Sequence, residues 1–204
     1  GQSALIGWVH AEGLAPETAV ERFTSQGPAA LLPDHGQWTF VHALPHGEAE
    51  RALAQPDADY SARLEHAFGN RWRLSEIRGR AAYPLVLRWR RRPVAERTVW
   101  LGNAAQTLHP VAGQGFNLAA RDLATLVELL READDPGSAW TLERYARRRA
   151  PDRRLTIGIT DGFVRGFLPQ EGLLPLARGA ALLTLDACLP LKALFARQMM
   201  FGWR

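Results

Sequence analysis

Thr98–Leu130 reads TVWLGNAAQTLHPVAGQGFNLAARDLATLVELL, and the rest of the chain is organised around it. Thr98-Val99-Trp100-Leu101 is a short β-branched and apolar run of the kind that forms a buried strand. Gly102 ends it, and a polar loop with a proline follows from Asn103 to Ala112. Gly113-Gln114-Gly115 then opens a segment whose apolar residues Ala119, Leu123, Leu126, Val127 and Leu130 recur at helical spacing, which predicts one apolar face of an amphipathic helix.

A strand, a glycine-bearing loop and a helix start bring bare backbone within reach of a ligand. Glycines at 113 and 115 remove side chains where the first unpaired helical N–H groups point outward, and the helix dipole favours an anionic or electron-rich group there. A plain strand-loop-helix connection uses the same glycines, so a lone G-x-G decides nothing. The added intervals of Asn103, Pro110, Gln114, Asn117 and Asp122 make the stretch distinctive.

Gly102-Asn103-Ala104-Ala105, His109-Pro110, Gly113-Gln114-Gly115-Phe116-Asn117 and Asp122 together resemble the second flavin-contacting motif of the class A FAD-dependent aromatic hydroxylases. Within that class the run most resembles the ubiquinone-biosynthesis hydroxylases, the 2-octaprenyl-6-methoxyphenol hydroxylase branch in particular. Flanking text agrees: Glu21-Arg22-Phe23-Thr24, Ala82-Tyr83-Pro84-Leu85 and Arg144-Tyr145 through Asp161-Gly162. The family often has Asp where this chain has Asn103; an amide still donates and accepts there but carries no charge.

The resemblance implies a cofactor set of Gly102, Asn103, Pro110, Gly113, Gln114, Gly115, Phe116 and Asn117, with Asn103 on the ribityl side of FAD and Pro110 beside the ring. It implies that NAD(P)H reduces FAD and that molecular oxygen is used to hydroxylate a phenol bearing a polyprenyl tail. The chemistry is the flavin's, so no side chain is assigned as catalytic and no metal is expected. His109 beside a proline reads as structural. A hydroxylase of another aromatic compound, or a non-catalytic fragment that binds partner subunits of a quinone-synthesis complex, are the rival readings.

The expected fold class is α+β in two pieces: residues 1–86 as a substrate-domain portion, mostly antiparallel sheet with covering helices, and residues 87–204 as the C-terminal strand and helices of an FAD-binding domain. No G-x-G-x-x-G occurs in the chain, because Leu118 stands where a third glycine would be needed. The N-terminal Rossmann half is therefore expected to lie elsewhere, and the abrupt apolar start at Ala4 fits a chain that begins inside a larger protein. Without that half, the chain is expected to bind FAD weakly and to self-associate.

Strands are predicted at Ala4–His10, Thr18–Thr24, Ala29–Pro33, Trp38–Leu44 and Arg73–Arg80, with Asp34-His35-Gly36-Gln37 as a hairpin turn. Glu48–Ala54 and Asp57–Phe68 read as helices, the second stopped by Gly69-Asn70. Trp38, Phe40 and Tyr83 read as core in preference to pocket. Ser138 is placed to cap a helix from Ala139, which Pro151 should kink or split, and Leu155, Ile159, Phe163 and Phe167 form the apolar stripe of its continuation.

Apolar content of 47% and charged content of 23% are ordinary for a globular protein. The net charge is +4, yet of 25 basic residues Lys192 alone is lysine, an arginine bias that is not read as a nucleic-acid footprint. Arg90-Arg91-Arg92 and Arg147-Arg148-Arg149 with Arg153-Arg154 read as solvated faces, with anion steering as the rival. Cys188 sits among leucines and reads as a buried thiol; a single cysteine excludes an internal disulfide. The apolar segment of residues 172–204 is cut by Pro175, Arg178, Asp186 and Pro190 into runs too short to span a bilayer. Packing, or peripheral contact with a membrane or partner subunits, are its two readings, and a cytoplasmic location with contact at the inner membrane is the expectation.

Overall fold

The computed structural model describes residues 1–167 and 174–202. It is an α+β chain in two compact units, one of residues 1–85 and one beginning at Val86.

The first unit is built on five strands: β1 (Gln2–Glu12), β2 (Val20–Phe23), β3 (Pro28–Asp34), β4 (Gln37–Pro45) and β5 (Arg73–Leu85). They form one antiparallel sheet in the order β2-β3-β4-β1-β5. The tight turn between β3 and β4 pairs Asp34 with Gln37 and holds His35 at φ 47° and Gly36 at φ 85°, the left-handed pair that a two-residue hairpin requires. Two helices, α1 (His46–Ala54) and α2 (Asp57–Ala67), separate β4 from β5. The second is stopped as expected, with Gly69 and Asn70 both at positive φ and their N–H groups bonded to the carbonyls of His66 and Glu65.

Alternation on β1 and β4 sends Leu5, Val9, Trp38, Phe40 and Leu44 into one core with Tyr60, Leu64 and Phe68 from α2 and its end. Trp38 and Phe40 are thus core, whereas Tyr83 is 55% exposed. His42 is buried too, with its Nδ1 3.2 Å from the Tyr60 hydroxyl, and desolvation holds its pKa down to about 4. Gly7 is required by close packing, because a Cβ there would lie 2.8 Å from the Arg78 carbonyl and 2.9 Å from the Phe40 ring.

The second unit carries two short ladders, β6 (Arg88–Trp89) with β9 (Gln106–Thr107) and β7 (Val94–Ala95) with β8 (Thr98–Val99). Thr98–Leu101 is therefore not a buried strand. The ladder covers Thr98 and Val99, with the Trp100 N–H bonded to the Pro93 carbonyl at 2.9 Å beyond it; Thr98 is exposed, and Arg97 at φ 47° makes the stretch the return arm of a tight hairpin. Four helices follow: α3 (Gln114–Arg131), α4 (Ala139–Phe167), α5 (Leu174–Ala187) and α6 (Leu189–Phe201). Ser138 caps α4, accepting from the N–H of Thr141 at 3.2 Å.

Three further expectations need correction in this unit. The buried face of α3 is formed by Gln114, Leu118, Asp122, Leu126 and Leu129, while Leu123 and Val127 are exposed. Pro151 does not split α4, which runs for 29 residues, and its buried stripe holds Asp152, Arg153, Thr156 and Ile157 while Leu155 lies outside. Cys188 is exposed at the break between α5 and α6. Those two helices meet at 98° and present Leu176, Leu183, Leu189, Leu194 and Met200 to solvent. No single helix among the described residues is long and apolar enough to cross a membrane.

Candidate functional site

Gly102 takes φ 54° and starts a single 3-10 turn through Ala104, from which the chain enters β9. Arg90 fixes that turn. Its N–H donates to the Ala105 carbonyl at 2.9 Å, its Nε donates to the Ala104 carbonyl at 3.0 Å, and its guanidinium lies 4.3 Å from the centre of the Trp100 ring. A second 3-10 turn at Val111–Gly113 leads into α3. Gly113 stands at the N-cap with φ 57°, a conformation that costs an L side chain about 1–2 kcal/mol, and no side chain caps the helix.

The corner this makes is open. Asn103, Pro110, Gly113, Gly115 and Phe116 are exposed, Phe116 at 82%, and Gly102 and Asn117 are half-buried. A Cβ built on Gly102, Gly113 or Gly115 would meet no heavy atom within 4 Å. Nothing in the protein's own packing needs a glycine at 115, so the bare backbone is available to something else. Gln114 differs from its neighbours, since its side chain is buried at the base of α3.

His109 lies half-buried between the two turns, and burial lowers its pKa to about 4. Its Nδ1 accepts from the Val111 N–H at 3.3 Å, which leaves the proton of the neutral ring on Nε2. That buried Nε2 has no hydrogen-bond partner. A donor held dry and unpaired beside an exposed glycine corner is the kind of group a bound ligand satisfies.

Beneath the corner is a buried ionic network that the sequence did not reveal. Asp122, fully buried on α3, accepts from Gln106 Nε2 at 2.9 Å and from Arg149 Nε at 2.6 Å, and Arg153 Nε lies 4.0 Å away. Arg153 also donates to Gln106 Oε1 and to the Arg90 carbonyl. Arg121 joins from α3, donating to Asp152 at 2.9 Å and to Thr156 at 3.1 Å. The network bolts Arg90 just after β6, β9 and α3 to α4, and so fixes both ends of the loop from Gln106 to Gly113. Arg149 and Arg153 are thus not solvated residues: desolvation holds the Arg153 pKa down, and Arg149, also desolvated, is held up by its bonds to Asp122 and Asp152.

A left-handed glycine turn, an uncapped helix start and a buried brace between strand and helix now stand together. Residues 9–157 match the family described as FAD binding domain. The chain belongs to that family. Ubiquinone hydroxylase UbiL from Rhodospirillum rubrum is 37% identical, over 98% of this chain and 48% of the relative. The 3-demethoxyubiquinol 3-hydroxylase of Escherichia coli is 31% identical, over 81% of this chain and 44% of the relative. The chain spans about half the length of these curated relatives. Among solved structures, p-nitrophenol 4-monooxygenase PnpA from Pseudomonas putida superposes over 100% of this chain and 53% of its own, with a TM-score of 0.68 at 15% identity. PqsL, a probable FAD-dependent monooxygenase from Pseudomonas aeruginosa, covers 82% of this chain and 49% of its own, with a TM-score of 0.63 at 23% identity. At those identities the superpositions speak for the fold alone.

For a member of the FAD binding domain family, the corner is consistent with a flat, electron-rich ring. Gly113, Gly115 and the open space over them admit a planar group, the uncapped N–H groups of α3 offer donors, and His109 Nε2 offers one more. The brace formed by Gln106, Asp122, Arg149 and Arg153 had no sequence signal beyond Asp122, because its members are separated by up to 47 positions.

Proposed function

We propose that this chain supplies the ring and ribityl side of an FAD site in an aromatic monooxygenase that hydroxylates a polyprenylated phenol in ubiquinone biosynthesis. The observation that carries the proposal is the open glycine corner at an uncapped helix start, with an unpaired buried donor beside it, in a chain of the FAD binding domain family. Similarity to the ubiquinone hydroxylase and the 3-demethoxyubiquinol 3-hydroxylase supports the substrate class.

In this reading the backbone of Gly113–Asn117 meets the pyrimidine end of the ring, where the helix N-terminus favours the negative charge that accumulates on reduction. Pro110 lies against the ring, Asn103 and Gly102 meet the ribityl chain, and His109 donates through Nε2. Gln114 buttresses the corner from within, and Phe116, projecting to solvent, is placed to shield the ring from water. FAD, when bound, takes reducing equivalents from NAD(P)H and activates molecular oxygen, so that one oxygen atom enters the phenol and the other leaves as water. Residues 1–86 are proposed as a substrate-domain portion and 87–204 as the C-terminal portion of the FAD domain. A polyprenyl tail places the reaction at a membrane surface, with cytoplasmic access and contact through the exposed leucines of α5 and α6, and those leucines are equally suited to partner subunits of a biosynthetic complex.

The test is a pair of calorimetric titrations of this chain, one with FAD and one with riboflavin. The chain has ring-side groups and no dinucleotide fingerprint, so both should bind weakly, at tens of micromolar or above, with affinities within about threefold of each other, a difference under ~0.7 kcal/mol. Submicromolar FAD binding, or FAD favoured a hundredfold over riboflavin, would place a pyrophosphate site in this chain and overturn the assignment. The product of the full reading frame, given a polyprenylated phenol, NAD(P)H and oxygen, should release the hydroxylated ring, and unchanged phenol would reject the substrate class.

A further inference from the structure

On α3 and α4, away from the glycine corner, Arg121, Thr125, Glu128, Arg148 and Arg149 line a cavity of about 470 Å³ that Phe201 at the end of α6 closes on one side. Its charges do not balance. Among the described residues, the buried network behind its wall sets three guanidinium groups, Arg121, Arg149 and Arg153, against two carboxylates, Asp122 and Asp152. At the rim, Arg148 and Glu128 form a two-point pair at 2.9 Å and cancel each other. Among the described residues one positive charge is left over.

The surplus is localised at Arg121. Its Nε is held by Asp152 and its Nη2 by Thr156, which immobilises the planar group, while its buried Nη1 has no hydrogen-bond partner. A fixed guanidinium with one edge satisfied and one nitrogen unpartnered keeps N–H donor capacity in the planar geometry that oxyanions accept. Gly202 reinforces the arrangement: a Cβ there would lie 2.5 Å from both Arg121 Nε and Asp152 Oδ1, so the end of α6 sits directly on this pair.

We propose that this cavity is a binding site for a phosphate-class oxyanion, held by Arg121 and Arg149 with Arg148 at the mouth. Burying an uncompensated cation is unfavourable, and an anion bound beside Arg121 restores neutrality. A free phosphate and the headgroup of an anionic lipid share this chemistry, and Phe201, an exposed apolar residue of α6, lines the same cavity. The site is independent of the proposed flavin corner and stands or falls without it.

The experiment compares the chain with its Thr125→Glu variant, in which a carboxylate reaches into the cavity and supplies the missing negative charge without breaking any of the arginine pairs. In phosphate-free buffer, inorganic phosphate at a hundred times its Kd should raise the wild-type Tm by about 5–10 °C beyond sodium chloride of matched ionic strength. Thr125→Glu should start with the higher Tm and lose that response at least tenfold in phosphate concentration. Arg121→Lys, which keeps the charge but not the fork, should also weaken the response. Vesicles of phosphatidylglycerol and of phosphatidylcholine identify the source. Sedimentation with the anionic vesicles alone, competed by phosphate and lost in Thr125→Glu, assigns the site to a headgroup; phosphate stabilisation without vesicle binding assigns it to a free anion. No phosphate response beyond chloride together with no competable vesicle binding, or an equal response in Thr125→Glu, overturns the proposal.

Discussion

Replacing Asp122 by alanine removes a carboxylate that is fully buried and leaves two guanidinium groups, Arg149 at 6% and Arg153 at 4% side-chain exposure, facing a gap. Arg149 retains Asp152, and Arg153 retains Gln106 Oε1 and the Arg90 carbonyl, so neither is left without partners. Both still lose the charge that offsets their desolvation, and Gln106 Nε2 loses its acceptor. Breaking a buried pair from one side costs about 3–5 kcal/mol, which for a chain of this size lowers Tm by roughly 6–20 °C. Glu128→Ala is the internal control, because it breaks the Arg148 pair at about half exposure, where an ion pair contributes at most about 1 kcal/mol. Urea unfolding followed by far-ultraviolet circular dichroism measures both variants against the parent. An Asp122→Ala loss no larger than that of Glu128→Ala would show that the network is not what holds the β9–α3 loop, and the account of the corner's rigidity would fail with it.

Acidification tests the first unit. Burial depresses His42 to about 4 from an ordinary 6.5, so the unfolded chain binds the proton first; its contribution is complete above pH 6.5 and is lost, by roughly 3 kcal/mol, as pH falls through 6.5 towards 4. His42→Asn should flatten that slope in urea midpoints measured from pH 7 to 4, and an unchanged slope refutes the assignment. Gly115→Val should fold with the parent's midpoint within ~0.5 kcal/mol while abolishing flavin binding, whereas Gly7→Ala, pressed against Arg78 and Phe40, should lose about 1–3 kcal/mol; retained flavin binding in Gly115→Val would remove the corner from the site. The chain should self-associate through the exposed Leu123, Val127, Leu183 and Leu194, more tightly as salt rises, and a monodisperse monomer of 22.6 kDa in light scattering at tens of micromolar would refute this.

What could be read from the sequence and what could not divide along one line, the range of the interactions involved. Strands β1 to β5 and helices α1 and α2 follow from alternation, from the His35-Gly36 turn and from the Gly69-Asn70 stop, all of which act within a few residues. The glycines of the corner were equally visible, since positive φ at Gly102 and Gly113 is a local demand. The face of α3 was misjudged because it buries Asp122 and Gln114, polar groups that no hydrophobic pattern selects and that become buriable only beside arginines of α4. Pro151 does not end α4, for the same reason: Arg149, Asp152 and Arg153 on either side of it are anchored to α3 and β9, and those anchors hold the helix together across the missing N–H. Cys188 looked buried because leucines surround it in sequence, but those leucines, Leu183, Leu189, Leu191 and Leu194 among them, are themselves exposed on α5 and α6.

The empty space over Gly102, Gly113 and Gly115 bears on how this chain would drift under artificial selection. Growing a library for solubility alone places no penalty on Gly115, Phe116 or Asn103, since folding asks nothing of them, and only the left-handed backbone restrains Gly102 and Gly113. Such a population would scatter at those exposed positions while Gln106, Asp122, Arg149 and Arg153 stayed fixed. Deep sequencing after a few rounds would thus separate, position by position, the residues kept for shape from those kept for a guest.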